Sequence, residues 1–378
     1  GRENSLVQVD SDTYALAYSG EGEDGYISTF TISADGTTIT EVESLEHDTV
    51  YGLHNSLVQV DSDTYALAYY GISGDGFIST FDIDSTGDIT PIRVANHATL
   101  GEGSSVNLRH DTAFAKDNSL VQVDSDTYAL AYTGEYNDGF ISTFTISADG
   151  TTITEVESLE HDTVYGLHNS LVQVDSDTYA LAYYGISGDG FISTFDIDST
   201  GDITPIRVAN HATLGEGSSV NLEHVDARYN SLVQVDSDTY ALAFAGEDND
   251  GFISTFTIPS DGSSITEVES LEHDTVFGYH NSLVQVDSDT YALAYTGSNG
   301  KISTFTISSD GTITAVKTQS LGNNLEHDTD GVIENSLVQV DSDTYALAYA
   351  ESVYDGAGRD GHISTFTISV TVTSSGET

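Results

Sequence analysis

Cysteine, methionine and tryptophan are absent from this chain, and lysine plus arginine number only 9 in 378 residues. Without cysteine there is neither a disulfide framework nor a thiolate metal site. The lack of oxidisable sulfur fits a life outside the cell. No run of about 18 apolar residues occurs, so no segment reads as a membrane-spanning helix. Against the few cations stand 61 Asp plus Glu, a formal net charge of −52. Such a surface repels nucleic acid and anionic membranes, which need Lys and Arg to displace counterions. It also strains its own compact state unless cations screen it, as in high salt or among divalent ions. The opening Gly1-Arg2-Glu3-Asn4, without Met, reads as a processed or trimmed start.

What is present is repetition. A block of fourteen residues, NSLVQVDSDTYALA, starts at Asn4 and returns unchanged at Asn55, Asn118, Asn169, Asn230, Asn281 and Asn335. The starts lie roughly 50 to 60 residues apart, which suits four-stranded propeller blades and is too long for leucine-rich or ankyrin repeats. A larger copy is superimposed: residues 4–108 recur at 118–222 with four differences, Ser19/Thr133, Gly22/Tyr136, Glu23/Asn137 and Tyr26/Phe140. High acidity alone would suggest disorder, but 38% hydrophobic residues in strict period argue against it.

The first unit divides into four alternating segments. SLVQVD stops at SDT, YALAYSG at EGEDG and YISTFTI at SADGT, and TITEVESL follows. Segments rich in Val, Ile, Thr and aromatics between Asp/Gly turns predict an antiparallel meander. In the second segment Tyr14, Leu16 and Tyr18 share one face while Ala15 and Ala17 share the other. The small face lets a neighbouring blade approach, and the large face fills the opposite gap. Glu41 and Glu43 mark the fourth segment as the outer edge. The expected fold is all-β: a single seven-bladed β-propeller over residues 1–378, with four-stranded antiparallel blades starting near 4, 55, 118, 169, 230, 281 and 335.

The order within a unit is His, first strand, acidic turn, second strand, Asp-Gly, hydrophobic residue, large aromatic. It resembles a WD-repeat blade, with Phe30, Phe81, Phe144, Phe195, Phe256, Phe305 and Phe366 in the place of that family's Trp. Asp follows the aromatic only at Asp82 and Asp196. The resemblance implies propeller architecture rather than membership of the family. After the last unit's third segment, the tail has no Asp/Gly turn. Either residues 370–378 fold back as the outer strand of blade seven, or that blade lacks one and the tail pairs with another chain.

Several residue sets invite chemistry. His47, His110, His161, His224, His273 and His327 sit in LEHDT-like segments before each first strand. Positions around a ring diverge, so the expected role is structural: each imidazole bonds a turn carboxylate and locks the loop. Loops between second and third strands carry Asp24, Asp75, Asp138, Asp189, Asp248 and Asp250 beside Gly. Asp82, Asp84 and Asp88 lie in DIDSTGD, the nearest thing to a calcium loop. Hard oxygens on flexible turns are what Ca²⁺ takes, so these are candidate ligands, although Asp-Gly is also a common hairpin signal. Tyr51, Tyr136, Tyr165, Tyr229, Tyr279 and Tyr354 fall in loops expected on one face, together with insertions at 95–108 and 209–222, and aromatics among acids suit sugar stacking. Asn4 and Gln8, repeated in every unit, are expected to satisfy inter-blade backbone groups.

Propeller hydrolases need differing residues from several blades, whereas these units repeat the same strands. No nucleophile elbow, H-E-x-x-H motif or P-loop is present. The leading expectation is a non-enzymatic extracellular or surface-displayed structural propeller, stabilised by salt or Ca²⁺. Its partners would be copies of itself, joined into a filament or coat by the terminal strand, or cell-surface glycans, with no nucleic acid and no membrane insertion. The alternatives are a calcium-assisted carbohydrate-binding propeller and a propeller hydrolase or lactonase.

Overall fold

The computed structural model describes residues 2–94, 108–111, 114–208, 210–211, 215–216, 220–225, 227–316, 325–328, 332–351 and 361–368. The alternating segments become strands as the pattern requires. In blade one, Arg2–Gln8, Thr13–Ser19, Gly25–Ile32 and Ile39–Asp48 pair in chain order as an antiparallel sheet. The acidic corner closes the first hairpin, with the Val9 N–H donating to the Thr13 carbonyl at 2.8 Å. Seven such sheets follow one another, and the first strand of each packs on the first strands of its two neighbours around a central axis. The chain is a seven-bladed propeller.

Packing between blades is large against small. Tyr14, Leu16 and Ile32 of blade one lie on Ala346 and Ala348 of blade seven. Ala15, Ala17 and Ile27, on the other face, receive Tyr65, Leu67 and Tyr69 of blade two. Burying one such side chain contributes on the order of 2 kcal/mol. The phenols keep their hydrogen bonds: Tyr128 donates to the Val60 carbonyl of the preceding blade at 3.3 Å, and Gln122 donates its amide to the Tyr128 hydroxyl at 3.2 Å. Every copy of this Gln thus satisfies a buried Tyr.

Blade seven has three described strands, Val332–Gln339, Thr344–Glu351 and Gly361–Thr367. The tail at 370–378, expected as an inter-subunit strand, lies outside the described residues. The ring closes by ordinary inter-blade contacts: the Leu6 N–H donates to Ser336 Oγ at 3.1 Å, as the Leu57 N–H does to Ser5 Oγ at 3.0 Å.

The insertions are not where the sequence put them. Residues 95–107 interrupt the outer strand of blade two, whose halves Ile89–Arg93 and Leu108–Asp111 both pair with Gly76–Ile83. Blade four repeats this with Ile203–Arg207 and Val220–Val225. Alternation resumes after the insertion because Leu108 still faces Ile78 across the pair. The insertions themselves are largely outside the described residues.

Where the outer strand of one blade turns into the inner strand of the next, two glycines meet. A Cβ on Gly166 would lie 2.2 Å from Gly139 Cα, and the pairs Gly52/Gly25 and Gly278/Gly251 repeat the approach. Gly166→Ala is therefore expected to destabilise the protein by about 1–3 kcal/mol through overpacking against backbone. The check is the denaturant midpoint; an unchanged midpoint would show that this crossing can open at no cost.

Candidate active site at the mouth of the channel

The residue immediately before each invariant Asn differs from blade to blade. In ring order these residues are Glu3, His54, Asp117, His168, Tyr229, His280 and Glu334, and with the Asn ring they line a cavity of about 230 Å³ at one mouth of the channel. All seven adopt left-handed backbone, with φ between 50° (His280) and 59° (Glu334). The register of each first strand slips at this point, as between Lys116 and Ser119 in blade three. A bulge of this kind re-aims a side chain. Left-handed backbone at a non-glycine residue costs on the order of 1–3 kcal/mol and persists only where the surroundings over-determine it.

The neighbouring blade supplies that constraint. Asn118 Nδ2 donates to the carbonyl of His54 at 2.9 Å and to that of Ala115 at 3.1 Å. Asn169, Asn230, Asn281 and Asn335 reach the carbonyls of Asp117, His168, Tyr229 and His280 at 3.0–3.3 Å. Asn55 donates to Glu3, and Asn4 closes the circle on Glu334 at 2.9 Å. Seven bonds of one kind therefore hold four kinds of side chain on one backbone conformation.

Charge is arranged unevenly around this ring. His54 lies between two acids, Nδ1 3.3 Å from Asp117 Oδ1 and Nε2 3.7 Å from Glu3 Oε1. Burial opposes a charge on His54, but the two carboxylates outweigh it and hold the imidazole up at about 9. Asp117 also accepts the His168 N–H at 2.9 Å. Although burial pulls the other way, the His168 and His54 imidazoles keep Asp117 well below the usual carboxylate range. His168 moves in the opposite direction from His54, because burial beside other cationic groups outweighs Asp117. Glu3 is pushed up by burial, whereas Glu334 is held down against burial by His280, 3.5 Å away. Tyr229 is wedged between His168 and His280, with ring centroids 4.4 Å apart on each side. One mouth thus presents two imidazoles pushed in opposite directions, with a carboxylate between them in ring order.

No protein-family model and no curated protein matches the chain. Solved structures of similar architecture do. A Bacteroides fragilis protein with a provisional 6-phosphogluconolactonase assignment is 13% identical at a TM-score of 0.59, covering 85% of this chain and 84% of its own. A Bacteroides uniformis protein with the same provisional assignment is 12% identical at 0.61, covering 85% of each chain. The periplasmic gluconolactonase of Pseudomonas aeruginosa is 14% identical at 0.57, covering 83% of this chain and 84% of its own. At such identities the likeness is one of fold.

These neighbours correct the expectation of a non-enzymatic structural propeller that polymerises through its tail. Lactonase names recur among these similar structures, against the expectation that the chain is no enzyme. The premise behind that expectation also fails. Blades repeat their strands, yet at the column before each Asn they contribute acid, imidazole and phenol by turns. That column borders an invariant block, so a column-by-column reading of the units would have found it. Strand alternation gave no hint that a bulge aims it into the channel.

The other singled-out residues disperse. His47, His110, His161 and His273 end outer strands and pack edge-on against aromatic pairs of the next blade, as His110 does on Tyr132 and Phe144 at 4.9 and 5.8 Å. For His47 and His161 the pairs are Tyr69 with Phe81 and Tyr183 with Phe195. Loop locking falls instead to the following Asp, since Asp48 Oδ1 accepts the Val50 and Tyr51 N–H groups. Side chains of His224 and His327 lie outside the described residues. Asp84 accepts from Thr86 and from the Asp88 N–H within its own turn, while Asp82 stands apart on the third strand. Asp24 and Asp138 pair with Glu46 and Glu160, and both members of each pair are raised, chiefly by burial. Asp75 and Asp189 precede or begin third strands, and Asp248 and Asp250 occupy the loop at Glu247–Asn249 and its end. Among the described residues no group of three or more His, Asp or Glu is placed to hold a metal ion. Tyr229 and Tyr279 meet, with centroids 5.2 Å apart. Tyr51 and Tyr165 pair instead with Tyr70 and Tyr184 on other blades, and Tyr136 is 77% exposed. Tyr354 lies outside the described residues.

Burial alone pulls the His110 imidazole down to about 3, and burial against Asp274 takes His273 to about 4. Both are neutral when folded and bind protons more readily when unfolded. Their contribution is complete above about pH 6.5 and is lost as pH falls toward those values. The denaturant midpoint is expected to fall on acidification below about pH 6.5, and to fall less steeply in His110→Gln. Equal pH slopes in both proteins would contradict a buried neutral wedge.

Proposed function

We propose that the chain is a hydrolase of lactones or closely related esters, acting at the channel mouth. The observation that carries this reading is Asp117 bridging the His54 ring and the His168 backbone, with the two imidazoles biased to opposite protonation states. Titratable groups pushed apart by their surroundings are how one site supplies acid and base at the same pH. Neutral His168 takes a proton from water as the oxygen bonds to the lactone carbonyl carbon. Protonated His54 stabilises the developing oxyanion and gives its proton to the ring oxygen as the C–O bond breaks. Water and lactone yield the hydroxy acid, and the imidazoles exchange protons with solvent to return to their starting forms. Asp117 orients the His54 ring and compensates its charge, and it ties down the His168 backbone. The gluconolactonase and the provisional lactonases among the similar structures support the reaction class.

Initial rates of lactone opening, read as acid release above the spontaneous rate, test this. His168→Gln and His54→Gln are each expected to lower kcat by roughly 100-fold or more, the ordinary yield of general acid–base catalysis. The wild-type rate should fall above about pH 9 as His54 loses its proton. Both variants retaining full rate would remove the assignment.

A further inference from the structure

We infer that the mouth selects uncharged, polyhydroxylated lactones and rejects those carrying phosphate or another anionic group; this rests on the hydrolase reading above. Three observations converge. The first is what the cavity lacks: among the described residues neither Lys nor Arg lines it, while Glu3, Asp117 and Glu334 do. Of the cations next to the lining in sequence, the two whose side chains are described sit over aromatic rings. Lys116 Nζ lies over the Tyr70 ring at 5.7 Å, and the Arg228 guanidinium lies over the Tyr184 ring at 5.0 Å. The one imidazolium in the lining, His54, is already shared between Glu3 and Asp117, so a phosphate meets no unshared positive charge among the described residues, and the formal charge of −52 repels it before contact.

The second is what the cavity offers. Asn55, Asn118, Asn169, Asn230 and Asn281 each donate to two carbonyls through Nδ2, as Asn118 does to His54 and Ala115. That fixes the orientation of their amides. The Oδ1 atoms of these five and of Asn335 are buried and accept no hydrogen bond from the protein. The lining also carries carboxylates, imidazoles and a phenol, which accept from hydroxyl donors, and an unprotonated phosphate oxygen has no proton to give them.

The third is shape and surface. Tyr229, flanked by His168 and His280, sets an aromatic patch among the carboxylates of the lining. An apolar face beside hydroxyl-binding groups is the amphipathic pattern of a sugar ring, and about 230 Å³ suits a molecule of monosaccharide size. Hydrolysis then turns an uncharged substrate into a carboxylate within an acidic mouth, which favours its departure.

The test compares kcat/KM for glucono-1,5-lactone and its 6-phosphate ester at low ionic strength, each corrected for spontaneous opening. The neutral lactone is expected to be favoured by about tenfold or more, with the gap narrowing in high salt as repulsion is screened. Tyr229→Arg, which adds the missing cation at the rim, is expected to raise the rate on the phosphorylated lactone relative to the neutral one. Equal or preferred turnover of the phosphorylated lactone by the wild type would overturn the selectivity while leaving the hydrolase intact. Turnover of neither lactone would overturn both. If Tyr229→Arg fails to fold, the wild-type comparison alone decides.

Discussion

One hydrogen bond, repeated around a circle, sets the conditions for everything at the channel mouth. An asparagine amide of each blade holds the carbonyl of its neighbour's preceding residue, and so fixes a strained left-handed backbone there. Each bond contributes about 1 kcal/mol net, comparable to the strain it opposes. Because the donor and its geometry are the same in every blade, the side chain at the held position is free to differ without changing the scaffold.

Chemistry enters through that freedom. Were the seven residues alike, seven-fold symmetry would give them similar environments and similar proton affinities. Unlike neighbours break the symmetry: His54 stands between Glu3 and Asp117, while His168 stands between Asp117 and Tyr229. Two imidazoles on equivalent backbone are driven in opposite directions. The same Asn ring frames the cavity, so one scaffold both holds the charged groups of the mouth and shapes the space between them. The larger acidic surface acts at longer range and in the same sense.

The fold was legible because alternation and Asp/Gly turns report directly on strands and hairpins, and because the Ala15/Ala17 face could only serve close blade approach. The outer strands were less legible. Insertions at 95–107 interrupt alternation inside a strand, and only the pairing of Leu108 with Ile78 reveals that the strand continues. The wedge histidines were placed in loops because His47 and Asp48 look like a turn pair. Packing on Tyr69 and Phe81 depends on a neighbouring blade, and local sequence does not encode it. The mouth was missed for a related reason. The repeated block dominates each unit, and the column at the mouth sits just outside it among positions that vary.

The central claim is that one backbone ring separates the proton affinities of two imidazoles. The direct measurement is a pH titration of the His54 and His168 ring resonances by NMR in the intact, isotope-labelled protein. The account predicts that His54 holds its proton to about pH 9 while His168 titrates below its ordinary 6.5. Two superimposed titrations near 6.5 would contradict it.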